Sequence, residues 1–158
     1  MHAQELMAGL RAQRIAVDEG VELHAWVGGQ GPALLLVHGH PQTSAIWHRV
    51  VPTLAQHFTL VVADLRGYGD SSKPRGAPDH ANYSKRVLAR DLLRLMQQLG
   101  HARFSVLAHD RGARVAHRLA WTMPAPSNVW CCWTSRPRCR CTSRPAKTSR
   151  APTGTGSS

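Results

Sequence analysis

Three short apolar runs, each followed at once by a polar turn, constrain the fold of this chain more than any other feature. The runs lie at residues 33–37, 58–65 and 104–108 and consist mostly of Leu, Val and Ala. They lack the alternation of polar and apolar residues that marks a strand with one solvent-exposed face. They are therefore typical of strands buried on both faces of a parallel sheet. Helix-length segments separate the runs. Strands that alternate with helices predict an α/β fold with a mostly parallel sheet flanked by helices.

Shorter signals predict the remaining elements. Two strands at 15–17 and 21–27 precede the first buried run. Ser84 is a suitable N-cap for a helix that Gly100 ends, because the leucines at 88, 92, 95 and 99 between them recur with a helical period along one face. Further helices are predicted at 47–56 and 111–122.

The charge of the chain is concentrated near one end. The formal net charge is +11, but six of the 20 basic residues lie in 126–158, where there is no acidic residue, which leaves +5 on residues 1–125. That value is ordinary for an enzyme, so we expect neither a nucleic-acid nor a membrane partner. The start of the chain lacks the apolar core of a signal peptide, and no apolar run approaches the roughly 18 residues of a membrane-spanning helix. A cytoplasmic location is the expectation.

Asp110 is the candidate for chemistry, since it stands at a sharp turn between a buried strand and a helix. The arrangement resembles the nucleophile elbow G-x-S-x-G, with Asp110 in the place of the serine, Gly112 in the place of the last glycine and Ala108 instead of the first. The positive end of the helix dipole favours an ionised carboxylate, and such a carboxylate can attack carbon to form an ester. The simpler interpretation is that Asp110 is a helix N-cap.

Two further motifs follow the other buried strands. His38-Gly39-His40-Pro41 comes after the first, and the D-x-R-G-x-G-x-S sequence from Asp64 to Ser71 comes after the second. With the elbow, they make residues 17–124 resemble the α/β-hydrolases. That resemblance implies an oxyanion hole formed by the backbone N–H groups of His40 and Arg111, and a structural role for the second motif.

Within that superfamily the chain resembles the haloacetate (fluoroacetate) dehalogenases, because Arg111 and Arg114 give the pattern D-R-x-x-R. The resemblance implies hydrolytic dehalogenation of a short 2-haloacid through an ester on Asp110, with both arginines binding the substrate carboxylate. It implies no cofactor and no metal, and it makes a full-length relative a candidate homodimer. Epoxide hydrolases and haloalkane dehalogenases are the alternatives, but they typically have Trp where this chain has Arg111.

Residues 125–158 differ from the rest of the chain. Residues 126–158 contain a single valine and no Leu, Ile, Met or Phe, and all four cysteines of the chain lie there at spacings that fit no zinc motif. Read two bases later, the codons of Val129 to Thr134 encode Val-Leu-Leu-Asp, a buried strand ending in an acid. We therefore interpret residues 1–124 as the N-terminal half of a hydrolase core and 125–158 as an out-of-frame, disordered tail.

Two expectations follow from that interpretation. The cap domain, the later strands and the late histidine of the family are missing, so the chain should be inactive. The strand at 104–108 should have an unpaired edge. A basic tail that binds an acidic partner, in a protein without enzymatic activity, is the alternative.

Overall fold

One mixed sheet of six strands runs through the molecule. A computed structural model describes residues 6–7, 9–122 and 129–132, and three α-helices accompany the sheet in this part of the chain. The strands are β1 (Arg11–Asp18), β2 (Val21–Gly29), β3 (Ala33–Val37), β4 (Thr59–Ala63), β5 (Ser105–His109) and β6 (Val129–Cys132). The helices are α1 (Val51–Leu54), α2 (Lys85–Gln98) and α3 (Arg111–Thr122), and 3₁₀ turns occur at Ser44–Trp47 and Ala81–Tyr83.

The strand order is β1-β2-β4-β3-β5-β6. β4, β3, β5 and β6 pair in parallel, whereas β1 and β2 pair antiparallel to each other and β2 pairs antiparallel to β4. The prediction of an α/β fold with a mostly parallel sheet is confirmed. Because β3, β4 and β5 are parallel, the loops that follow them meet at one edge of the sheet.

Both faces of β3 and β4 are buried, as their continuous apolar sequences predicted. β5 differs from that prediction, because buried residues alternate with half-buried ones, so only one of its faces is fully buried. Alternate residues of β3 point to opposite sides. Leu35 and Val37 belong to a core cluster that includes the leucines of α2, while Leu34 and Leu36 pack with Trp26 on the other face. All five residues of β3 are buried.

The ends of α2 agree with the residues that were expected to cap it. The Ser84 hydroxyl accepts a hydrogen bond from the N–H of Val87 at 3.3 Å. At the other end Gly100 has a φ of 83°, and the N–H of His101 reaches back to the carbonyl of Met96 at 2.8 Å. A left-handed glycine with this hydrogen bond is the usual way for a helix to end.

The helix predicted at 47–56 is wrong as a single element. The structure has the 3₁₀ turn at Ser44–Trp47, then a break, then the one-turn helix α1. Pro52 explains the break, because a proline lacks the N–H that would continue an earlier helix but suits the first turn of a new one.

The unpaired edge predicted for the strand at 104–108 is also wrong. β6 pairs with β5 in parallel, from Val106 opposite Val129 to His109 opposite Cys132. Valine and tryptophan favour extended backbone, so Val129–Cys132 can extend the sheet although it falls in the segment interpreted as out of frame. The rest of the predicted tail, 133–158, lies outside the described residues. No helix in the described part of the chain is long and apolar enough to cross a membrane.

Candidate active site

Asp110 stands between β5 and α3 in a strained backbone conformation. Its φ is 48°, in the left-handed region that side chains other than Gly, Asn and Asp rarely adopt. The close approach of α3 to β3 requires the glycine that follows, since a Cβ on Gly112 would lie 2.3 Å from the His38 carbonyl oxygen. The predicted strand, sharp turn and helix are therefore present, and they present the Asp110 side chain at the carboxyl edge of the sheet.

Two backbone donors surround the Asp110 carboxylate. The N–H of Arg111 and the N–H of His40 both lower the pKa of Asp110 below its usual value, and only burial opposes them. The His40 N–H reaches Oδ2 at 3.2 Å. Gly39 makes this approach possible, because a Cβ there would lie 2.7 Å from the Asp110 Cβ. The two groups predicted as an oxyanion hole thus converge on one carboxylate, which is ionised at neutral pH.

The His38 side chain is hydrogen-bonded to the loop that contains Gly39 and His40. Its Nδ1 is 2.7 Å from the carbonyl oxygen of Gly39, and its Nε2 is 3.1 Å from the N–H of Leu65. A carbonyl accepts and an N–H donates, so the proton of the neutral ring lies on Nδ1. Burial lowers the pKa of His38. The side chain therefore links the turn after β3 to the turn after β4.

Tyr68 was not predicted from the sequence, yet it contacts both histidines of the loop. Its hydroxyl is 2.9 Å from Nδ1 of His40, and its ring lies edge-on to the rings of His38 and His40, with centroids 5.2 and 5.9 Å away. Nearby, Nδ1 of His109 is 3.1 Å from the amide oxygen of Gln42. Tyr68 therefore links the side chain of His40 to the D-x-R-G-x-G-x-S turn while the backbone of His40 faces Asp110.

Removing the Tyr68 hydroxyl should weaken the hydrogen bond that the His40 N–H donates to the Asp110 carboxylate. In Tyr68→Phe we expect the pKa of Asp110 to rise toward the ordinary value of 3.8, because the His40 N–H is no longer fixed beside the carboxylate. A carboxyl group whose folded pKa is low stabilises the fold above pH 3.8, and this stabilisation is lost as the pH falls through the folded pKa. The variant should therefore lose less stability on acidification. NMR titration of the Asp110 carboxyl carbon measures the shift.

Tyr83→Phe is the matched control, since the Tyr83 hydroxyl donates instead to the carbonyl of Pro74. Equal Asp110 pKa values in the unaltered chain and in Tyr68→Phe would contradict the role given to Tyr68.

Asp64 organises the turn after β4. Its Oδ1 accepts the N–H of Ser44 at 2.6 Å, and its Oδ2 accepts the N–H of Asp70 and faces Nδ1 of His24, both at 3.2 Å. These bonds lower the pKa of Asp64 although burial opposes them. Gly69 is required here because a Cβ would lie 2.2 Å from Oδ2. The structural role predicted for this motif agrees with these contacts.

His24, Asp64 and Asp70 also bring three potential metal ligands within 4.8 Å of one another. Both oxygens of Asp64 already accept hydrogen bonds from the protein. The geometry is accounted for by these donors, so the trio gives no reason to assign a cation.

A buried ion pair lies beneath the turn. The guanidinium of Arg66 makes two bonds to Asp91, Nε to Oδ2 at 2.8 Å and Nη2 to Oδ1 at 2.9 Å. Its Nη2 also reaches Asp18 at 3.2 Å. Arg66 and Asp91 are 3% and 1% exposed, which makes this a desolvated, two-pronged pair. It fixes the turn after β4 to α2.

A crevice of about 150 Å³ opens beside the Asp110 loop. Arg111 lines it, together with Gly39 and Tyr68, whereas Arg114 is not among the lining residues. Both arginines are exposed on α3. Of the two cations expected to bind a substrate carboxylate, Arg111 is the one that lines this crevice. The other lining residues are Leu65, Arg66, Tyr83, Lys85, Leu88 and Val115.

Comparisons with known proteins point to the same fold. The profile of the family described as alpha/beta hydrolase fold matches residues 32–152. A fluoroacetate dehalogenase from Burkholderia sp is 57% identical over 71% of this chain, and a soluble epoxide hydrolase from Corynebacterium sp is 39% identical over 67% of it. The crystal structure of a candidate α/β hydrolase from Nostoc sp superposes with a TM-score of 0.73 at 47% identity and covers 77% of this chain.

The match covers a smaller fraction of each relative's length than of this chain. The chain spans 37% of the length of the dehalogenase, 35% of the epoxide hydrolase and 41% of the Nostoc protein. The similarity therefore concerns a part of each relative.

Proposed function

Because the chain belongs to the α/β-hydrolase fold family, we propose that it carries the nucleophile half of a hydrolase that removes halide from short 2-haloacids. The observation that supports this most is the Asp110 carboxylate, kept ionised by two backbone N–H groups and placed beside Arg111 rather than beside an aromatic residue. The 57% identity to a fluoroacetate dehalogenase agrees with it.

The proposed first step is a displacement at carbon. A carboxylate oxygen of Asp110 forms a bond to the α-carbon of the haloacid as the carbon–halogen bond breaks, and the halide leaves with the bonding electron pair. The N–H groups of His40 and Arg111 keep that carboxylate ionised and in place for the attack. The product is an ester between Asp110 and the former haloacid.

Hydrolysis of that ester is the proposed second step. Water adds to the carbonyl carbon of the ester, and the oxygen that becomes negative lies where the N–H groups of His40 and Arg111 can stabilise it. Collapse releases the 2-hydroxyacid and restores the Asp110 carboxylate, with one proton released. Together the two steps convert a haloacid and water into a hydroxyacid, a halide ion and a proton.

Arg111 and Arg114 are proposed to select the acid. A guanidinium group binds a carboxylate through paired charge-assisted hydrogen bonds, which would set the carbon–halogen bond against Asp110. Residues three apart on a helix share a face, so Arg114 can add to a contact that Arg111 makes from the crevice.

The acid selection is tested with two substrates of nearly equal shape, chloroacetate and the uncharged chloroacetamide. Peptide mass mapping measures the rate at which each alkylates Asp110. We expect Arg111→Gln to lose about tenfold or more of the preference for chloroacetate, because one charge-assisted contact is removed. Arg114→Gln should show a smaller loss in the same direction. Arg118→Gln, exposed on the same helix, is the control for charge alone.

Epoxide hydrolysis is the second candidate, supported by the 39% identity to an epoxide hydrolase. An epoxide carries no carboxylate. Equal alkylation by the two substrates, unchanged by loss of the arginines, would favour this second function over dehalogenation.

We also infer that the reading frame changes between codons 124 and 130. The shifted frame encodes Val-Leu-Leu-Asp at the place where β6 pairs with β5, so it supplies a more apolar strand and an acid at its carboxyl end. Sequencing the gene across these codons should show an inserted or deleted base relative to a full-length homologous gene. A homologous gene that encodes Trp-Cys-Cys in the same frame would contradict the inference.

A further inference from the structure

The crevice beside the Asp110 loop contains a second cation that the sequence did not single out. Lys85 is the first residue of α2, is half-buried, and lines the crevice together with Arg111. Arg66 lines it too, but Asp91 and Asp18 balance its charge. Within the described residues the structure shows no ion pair for Lys85. A half-buried ammonium group that faces a cavity without an acidic partner favours an anionic occupant.

The surroundings of Lys85 suit a small anion. α2 has 14 residues, and the N-terminal end of a helix adds a positive potential at this place. The tyrosines of the crevice already use their hydroxyls, Tyr68 toward His40 and Tyr83 toward the carbonyl of Pro74. The two tyrosine rings therefore line the crevice without donating to a ligand, and the negative charge of an anion would be bound by Lys85 and Arg111.

Gly39 connects the crevice to the reacting carboxylate. It lines the crevice, and the position of its missing Cβ lies 2.7 Å from Cβ and 2.9 Å from Oδ2 of Asp110. A cavity of about 150 Å³ accommodates only a few non-hydrogen atoms. The Asp110 carboxylate therefore lies directly behind Gly39, which forms part of the wall of the crevice that Lys85 and Arg111 line.

We propose that Lys85 is a specificity-determining residue that binds the carboxylate of a small monocarboxylic acid together with Arg111. This inference rests on the proposed function and names a further partner for the acid group of its substrate. The Lys85 ammonium group contacts the carboxylate from α2, and the Arg111 guanidinium contacts it from α3. The carboxylate then bridges the N-terminal ends of two helices that flank the turns after β3 and β4.

The test measures binding of acetate, and of acetamide as the neutral analogue, to the full chain by NMR titration. Lys85→Gln should bind acetate about tenfold more weakly, because a charge-assisted contact is lost, and should bind acetamide unchanged. Lys85→Arg, which keeps the charge, should retain most of the acetate affinity. The matched control is Arg86→Gln, which removes the same charge from the next, exposed residue of α2. Circular dichroism checks that each variant is folded.

A second measurement uses the unaltered chain and needs no variant. An amine-reactive reagent should modify Lys85 more slowly in the presence of acetate, while Lys73, exposed and outside the crevice, reacts at an unchanged rate. Acetate affinity that is the same in Lys85→Gln as in the unaltered chain would overturn the inference, as would equal protection of both lysines. If Arg111→Gln weakens acetate binding in that case, the acid selection by Arg111 stands without Lys85. If Lys85→Gln weakens binding and Arg111→Gln does not, Lys85 is supported as a binding residue and the acid selection by Arg111 fails.

Discussion

Asp110→Asn is expected to abolish alkylation of residue 110 by chloroacetate, a loss on the order of 10⁴-fold relative to the unaltered chain. A neutral amide oxygen lacks the negative charge needed to displace a halide. Mass mapping of the peptide that contains residue 110 provides the measurement. The amount of halide released, determined in the same samples, should fall in parallel with the alkylation of residue 110.

Asparagine is the substitution that best keeps the elbow intact. Residue 110 has a φ of 48°, and asparagine, like aspartate, tolerates this left-handed conformation. Its side-chain oxygen can still accept the N–H groups of His40 and Arg111. Circular dichroism and thermal unfolding should therefore change little, which separates a chemical effect from a folding defect. Halide release that persists in Asp110→Asn would assign the nucleophile to another residue.

Asp91→Ala is expected to destabilise the fold by about 3–5 kcal/mol, because it leaves the buried guanidinium of Arg66 without its two-pronged partner. Arg66 is 3% exposed and cannot turn to solvent without breaking the packing around the turn after β4. Urea unfolding followed by tryptophan fluorescence gives the change in free energy.

Asp18→Ala is the matched control for this effect. Asp18 also contacts Arg66, and it contacts Arg90 and Arg94, but its side chain is 31% exposed. Ion pairs that solvent reaches contribute about 1 kcal/mol or less each. We therefore expect Asp18→Ala to cost clearly less than Asp91→Ala. Equal losses would show that burial does not decide the strength of this network.

Local sequence predicted the elements whose signals are local. β3, β4 and β5 follow from their apolar runs, and α2 follows from its leucine stripe and its caps. β1 was predicted only at 15–17, whereas the strand covers Arg11–Asp18. Its first four residues are exposed at the edge of the sheet. A strand that has polar residues on both faces lacks the alternation of polar and apolar residues by which a strand is recognised in a sequence.

The parts of the site that local sequence could not predict depend on contacts between distant residues. Asp110 and the N–H of His40 were predicted because each belongs to a motif that directly follows a strand. The contacts of Tyr68 with His40 and of Arg66 with Asp91 span 28 and 25 residues. Lys85 lines the crevice with Gly39 and Arg111, which are distant from it in the chain. No spacing within a motif encodes these neighbours.

The position of β3 between β4 and β5 has a consequence for synthesis on the ribosome. β3 precedes both of its partners in the chain. Its five apolar residues emerge from the exit tunnel before Thr59–Ala63, the first strand with which they pair, has been synthesised. The second edge of β3 stays unpaired until Ser105–His109 has been synthesised as well. During that interval the most hydrophobic strand of the nascent chain is accessible, so it is the segment where a holding chaperone should bind first.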